Sequence, residues 1–526
     1  MSALGGMLPA WLNKRGSLIR ALLAISCVLA VVAPPQVDTA DALVRLDCAR
    51  SILWRGTLAL EKEHAESQLS PLGSDGRRYC IYPIGQSLVL VPLEAGAAAV
   101  LAVFGRSANE YLRDVLVALQ YLTSVTLLSA LATFWVMRRL GLSQRSAALG
   151  LVVCFCTTQW IVWSRSMQEE VLAGTLLLAT LGCILEARTS RYAFLPLCAG
   201  ASLGLLANIR YNAAFPALGL VAWSFFALGD RRNWFRFWFL SAATLTPWLM
   251  LSGWYNFARF GDVFRSGYAA ADIGGSLLAW SFDVGSLLNW VCGADFGVLW
   301  FWAPIGVLLA LRARHRHRRR DLACCLALAL AAHVGVLSGF SHGAGVHGCV
   351  GPRFVCHHMM LMLPLVWVAF RGLTVGGSPA LARPSVAVLA FSFAIQFCCL
   401  PLSAGLENMQ HLARTEAGLE PCHAGYLPCR AANLVRLVRN DLLAYSYPPE
   451  LHGRVIANVN TSESFRVAAN PSLLPWRVSG GIRARQMLPT WVAWAAGAVW
   501  SLLVICAGWL LYRVACRKLR AKVGAK

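Results

Sequence analysis

The sequence predicts an all-α polytopic membrane protein with a bundle of about twelve transmembrane helices, and three observations predict it. Of the 526 residues, 57% are hydrophobic and 14% charged, with mean hydropathy +0.57. A water-soluble chain of this length would carry far more charge. Apolar runs recur near 17–34, 86–104, 115–137, 146–163, 170–186, 193–209, 213–228, 236–254, 296–311, 322–340, 355–370, 385–402 and 489–512, most of them near the ~20 residues that cross ~30 Å of hydrocarbon. The basic residues behind the net charge of +22 fall in short clusters between these runs, such as "RARHRHRRR" at 312–320. That is the pattern of loop ends held on the cytoplasmic side, not a nucleic-acid-binding stripe, so no nucleic-acid partner is expected.

Taken in order, Lys14, Arg15 and Arg20 place the N-terminus inside and make 17–34 a retained first helix, so the next loop faces outward. The second run lies within "YCIYPIGQSLVLVPLEAGAAAVLAVFG" at 79–105. If it spans, the basic loops at 137–145, 186–191 and 229–236 all fall outside. If it stays on the outer surface, those three loops, 312–320, "RGLTVGGSPALARP" and the tail "RVACRKLRAK" all fall inside. It also carries Pro83, Pro92 and Glu94, and a carboxylate at mid-bilayer costs about 2.5–3.5 kcal/mol on insertion scales. We therefore expect a membrane-parallel external segment with helix breaks. The resulting organisation is a transmembrane region 1–402 with a first external loop 35–114, an external section 403–488, and a last helix with a basic cytoplasmic tail at 489–526.

The unusual polar residues then gather outside. Asp38 and Asp41 in "DTADALVRL" follow the first span at helical spacing; such a pair can cap a helix, bind a cation or accept a proton. Arg165, Glu169 and Glu170 crowd the short second loop, where the acids also suit a helix N-terminus. Arg210 and Arg353 run against positive-inside logic and so need anionic partners, either these carboxylates or a lipid phosphate. Asp75, Tyr79, Tyr82 and Gln86 form a turn and an interfacial patch ahead of the 86–104 run. His342, His347, His357 and His358 lie near one another without a recognised metal-ligand spacing, so no cofactor is expected while a divalent metal stays open, and without a phosphate-binding glycine loop a nucleotide-driven pump is not expected. Most of the eighteen cysteines sit in apolar runs; Cys48 with Cys80 and Cys422 with Cys429 lie in external segments where disulfides are feasible.

In their order and side, "DTADALVRL", "ARSILWRGTLAL", "DGRRYCIYPIGQSLVLVP", "NEYLR", "SRSMQEE", "GLLANIRYN", "YNFARFGDVFRSGY", "GVLWFWAPIGVLLAL" and "GPRF" make residues 38 to about 370 resemble the GT-C superfamily of polytopic glycosyltransferases. Within it the chain resembles bacterial enzymes of the dolichyl-phosphate-mannose, protein O-mannosyltransferase and aminoarabinose-transferase type. The resemblance makes 1–402 a catalytic region and implies a sugar donor linked to polyprenyl phosphate and a glycan, lipid or protein acceptor among membrane lipids. It implies an acidic base in the first external loop, here Asp41 or Asp38, and a second-loop acidic position at Glu169 or Glu170. Arg353, Arg210 and Arg165 become donor-phosphate ligands and Asp75, Tyr79, Tyr82 and Gln86 substrate contacts. It also implies inversion by single displacement in a bacterial cytoplasmic membrane, with the site facing the periplasm. The competing expectation is a transporter or flippase of a lipid-linked anion, which would need polar residues at mid-membrane depth; the runs 115–137, 322–340 and 385–402 hold few.

Overall fold

The computed structural model describes residues 10–33, 37, 39–61, 69–105, 109–190, 192–271, 283–293, 297–301, 317–339, 353–376, 379–402, 406–419, 426–452, 502, 505 and 506. Among them every regular element is helical, and extended chain pairs only in two isolated antiparallel bridges, Ala59 with Tyr79 and Leu72 with Arg78. In order the helices are α1 (Ala10–Val32), α2 (Ala40–Arg50), α3 (Gly85–Val103), α4 (Glu110–Arg139), α5 (Gln144–Thr157), α6 (Gln159–Trp163), α7 (Glu170–Ala187), α8 (Phe194–Ala207), α9 (Ala214–Ala227) and α10 (Arg231–Phe260). There follow α11 (Gly267–Ala270), α12 (Val284–Cys292), α13 (Val298–Phe301), α14 (His317–Ser338), α15 (Cys356–Gly376), α16 (Pro379–Cys398), α17 (Leu406–Glu416), α18 (Tyr426–Arg439) and α19 (Leu442–Ser446). The expected all-helical membrane class is met: five helices are long and apolar enough to cross a bilayer, and five shorter apolar helices accompany them. The expected span at 489–512 lies almost entirely outside the described residues.

Lipid offers helices no hydrophobic incentive to associate, so close backbone approach and dispersion must do it. Helix α8 shows how the sequence arranges this. Gly200 and Gly204, one turn apart, face α10, where a methyl group at the first would collide with the Ser241 carbonyl and at the second with the Trp248 ring. The gap left by the missing side chains lets Ser241 and Thr244 bond the α8 carbonyls of Pro196 (2.9 Å) and Leu197 (2.7 Å). The opposite faces of these helices keep large apolar side chains such as Phe239, Met250 and Trp254 exposed, as a lipid-facing surface requires.

Helix α3 corrects one expectation. It runs unbroken through Pro92, and by length and composition it could cross a membrane. Glu94 is fully buried but not isolated: Arg50 donates to it at 3.0 and 3.2 Å, Arg113 lies at 3.1 Å, and Arg50 also reaches Asp114 at 2.5 Å. Pairing removes the penalty assigned to a lone carboxylate, so Glu94 does not by itself keep the segment out of the bilayer. Register is more informative. Glu94 meets Arg113, and Gln86 donates to the Tyr121 hydroxyl at 3.1 Å and the Met167 carbonyl at 2.7 Å. Helix α3 thus lies along the first three turns of α4, leaving residues 122–139, about 27 Å of helix, beyond it.

The ends of the bundle differ in charge. Arg138 and Arg139 close α4, Arg139 pairs with Glu186 near the end of α7, and Arg231 and Arg232 open α10. At the opposite ends of α7 and α10 stand Glu170 and Arg259, and Glu170 there pairs with Arg210, after α8, and Arg353, before α15. Near the C-terminus, α17 to α19 pack around Leu402, Leu406 and Leu442 with a buried Arg430–Glu407 pair at 2.8 Å, and Cys429 is disulfide-bonded. Cys422 lies outside the described residues, while Cys48 and Cys80 are free thiols in one small buried cluster.

Candidate active site

The site begins with a cap. Thr39 accepts the Ala42 amide at 3.3 Å and starts α2, so Asp41 is not the cap; it sits in the first turn with its carboxylate available for other partners. One turn on, Arg45 occupies the same face, buried, with its guanidinium carbon 3.7 Å from the centre of the Tyr82 ring and Nη2 2.8 Å from Glu169 Oε2. The second loop brings in Gln168, Glu169 and Glu170 as α7 begins. After α8 the chain extends through Arg210, whose Nη1 lies 2.9 Å from Glu169 and 2.7 Å from Glu170 and whose Nε donates to Asn212 at 2.8 Å. Arg353 closes the cluster, with Nη2 2.5 Å from Asp41 Oδ2, Nε 2.6 Å from Glu170 Oε1, and a further bond to Gln168.

Three carboxylates and three guanidiniums therefore balance in one buried cluster drawn from four stretches of chain. Removing one member of such a set leaves an uncompensated charge, worth about 3–5 kcal/mol. Accessibility separates the members. The Asp41 side chain is 20% exposed and that of Arg353 10%, against 6% for Glu169 and Arg210, 1% for Arg45 and 0% for Glu170. A ligand arriving from solvent meets Asp41 and Arg353 first, while the two glutamates hold the arginines from behind.

Burial alone would push the Asp41 carboxyl up, but the Arg353 and Arg45 guanidiniums and a hydrogen bond from Tyr82 outweigh it and hold the group well below the usual carboxylate range. The same environment acts oppositely on Tyr82: burial and the Asp41 charge push its phenol far up, so it stays a hydrogen-bond donor at all ordinary pH.

Of the residues singled out from sequence, Asp41, Glu169, Glu170, Arg210, Arg353 and Tyr82 come together, and Gln86 joins through Met167 and Tyr121, whose hydroxyl donates to the Gln168 carbonyl at 3.1 Å. Asp75 and Tyr79 form their own pair: the Tyr79 hydroxyl donates to Asp75 at 2.8 Å in an exposed turn tied to the end of α10 by the Ser74 amide and the Arg259 carbonyl. Arg165 turns the other way and donates to the Leu400 carbonyl after α16. Asp38, His342 and His347 lie outside the described residues. Arg45, Gln168 and Asn212 were missed; Arg45 was readable, because a charged residue four after Asp41 shares its helical face. His357 and His358, in the first turn of α15, sit beside His333 of α14, and among the described residues these three could hold a metal ion.

Fold and site together define a polytopic helical membrane protein with a charge-balanced acid–arginine cluster at one end of its bundle. No protein-family model matches the chain, and no curated protein is similar to it. Among solved structures it is similar to ArnT from Cupriavidus metallidurans bound to undecaprenyl phosphate, at 14% identity and TM-score 0.48 over 88% of this chain and 77% of that one. It is also similar to the Archaeoglobus fulgidus oligosaccharyltransferase tethered with an acceptor peptide, at 14% identity and TM-score 0.47 over 73% of this chain. In that comparison the chain spans 56% of the oligosaccharyltransferase's length.

Proposed function

We propose that the chain is a GT-C-type glycosyltransferase that moves a sugar from a polyprenyl-phosphate donor to an acceptor on the outer face of a bacterial cytoplasmic membrane. Asp41 is the base, Arg353 and Arg210 hold the donor phosphate, and α3 packs beside the first turns of α4 at the outer end of the bundle. The observation that carries this reading is the pairing of the most accessible carboxylate of the cluster, Asp41, with the most accessible guanidinium, Arg353, at 2.5 Å.

The pairing has a consequence for reactivity. While Arg353 is bound to Asp41, the carboxylate is a poor base. The phosphodiester monoanion of the donor competes for the same guanidinium, which binds its two non-bridging oxygens through two parallel hydrogen bonds. As Arg353 turns to phosphate, Asp41 loses its strongest partner and its basicity rises toward that of an ordinary aspartate. The donor thus activates the base. The acceptor hydroxyl then attacks the anomeric carbon, its proton passes to Asp41, and the bond from that carbon to the phosphate oxygen breaks with its electrons leaving on the lipid phosphate. Arg353 and Arg210 stabilise charge that grows in the transition state, which is where stabilisation raises rate. A single displacement inverts the anomeric centre. The helices α17 to α19, in the section expected to lie outside, are assigned acceptor selection.

Asp41→Asn tests the assignment. In proteoliposomes with a polyprenyl-phosphate sugar, the variant should lose transfer by about 10²-fold or more while still binding donor. Unchanged turnover would refute the base.

A further inference from the structure

We propose that His333, His357 and His358 form a site for one late first-row transition-metal ion, Zn²⁺ or Cu⁺, joining α14 to α15 inside the bundle. One ring nitrogen from each lies within 4.8 Å of the other two, and all three side chains are buried. His333 Nδ1 and His358 Nε2 stand 3.1 Å apart, the rings are tilted by 33–39° to one another, and Phe215 stacks on His333 at 4.7 Å. That one contact leaves most of the donor capacity unused: His333 Nε2, His358 Nδ1 and both nitrogens of His357 are buried without a hydrogen-bond partner.

A buried polar nitrogen without a partner costs about 1–3 kcal/mol, and four in one place make a poor apolar core but a good ligand set. Metal–nitrogen bonds of about 2.0–2.1 Å put three ligand nitrogens about 3.3–3.6 Å apart, so small ring rotations close the cluster on an ion. Imidazole selects zinc and copper over magnesium or calcium, which want oxygen. Three neutral ligands leave the ion's charge uncompensated, which favours Cu⁺ as it stands, or Zn²⁺ with a hydroxide in the fourth position. The site uses none of the cluster carboxylates and is independent of the transfer reading; it would fix the start of α15, and with it Arg353 three residues earlier.

The test is metal content of the full chain in detergent. After chelator stripping, Zn²⁺ or, under reducing conditions, Cu⁺ is added alone and unbound ion removed by gel filtration. One equivalent should be retained, and His333→Phe, which keeps an aromatic ring against Phe215, should reduce it at least tenfold while His411→Ala does not. No retained equivalent, or equal retention in His333→Phe, overturns the proposal. X-ray absorption of the loaded wild type supplies a readout that needs no variant: a shell of three imidazole nitrogens, with one added oxygen for Zn²⁺, supports the site, and a sulfur-dominated or carboxylate-dominated shell overturns it.

Discussion

In the proposed reaction Asp41 must be ionised to act, yet it is held by two guanidiniums that make it a reluctant base. Because its folded pKa is depressed, the stability it contributes is fully present above the unfolded value of about 3.9 and is lost as pH falls through the lower folded value. Stability should therefore be flat in this group from pH 5 to 8 and decline only below about pH 4, and Asp41→Asn should remove that acid decline; thermal unfolding across pH checks both. Arg353→Lys keeps the charge but loses the fork that reaches Asp41 and Glu170 together, so donor affinity should fall by about tenfold or more, read by lipid-phosphate binding. Sequence alone reached the acids and Arg210 and Arg353 because charge at a membrane boundary is conspicuous. It missed Gln168 and Asn212, which are ordinary polar residues until folding turns Gln168 to Arg353 and Asn212 to Arg210. It included Arg165, whose direction is set by packing against the end of α16, not by position in the chain.

Elements show a second kind of legibility. Hydropathy locates most helices, including α4, α7 and α15, because lipid demands long apolar runs. Hydropathy does not say whether an apolar helix spans or lies flat, and the charge argument about Glu94 weakened once Arg50 and Arg113 were found beside it. Glu94→Ala should leave Arg113 without this partner beside an Arg50 that keeps Asp114, lowering the melting temperature of the purified protein; a change within error would show the clamp to be idle. Association of α8 with α10 rests on missing side chains, so Gly200→Leu, which forces α8 off the Ser241 carbonyl, should cost monodispersity in detergent, while Leu218→Ala on an exposed face should not.

At the scale of the molecule, the acid–arginine cluster and the clusters of terminal arginines occupy opposite ends of the helices they share. The basic loops at 137–145, 186–191 and 229–236 belong to the second end, which supports the proposal that the active site faces out. A cysteine at the exposed turn residue Ser74 should react with an impermeant maleimide in intact cells, and one at Thr189 only after the membrane is opened, as their opposite ends require.

The most direct measurement is single-turnover transfer by purified protein in liposomes, with donor binding followed separately. Wild type should release polyprenyl phosphate and an inverted product. Asp41→Asn should bind donor as tightly or more tightly, since Arg353 is no longer shared, and form no product. Product from Asp41→Asn at the wild-type rate would contradict the assignment of Asp41 and the phosphate exchange at Arg353 with it.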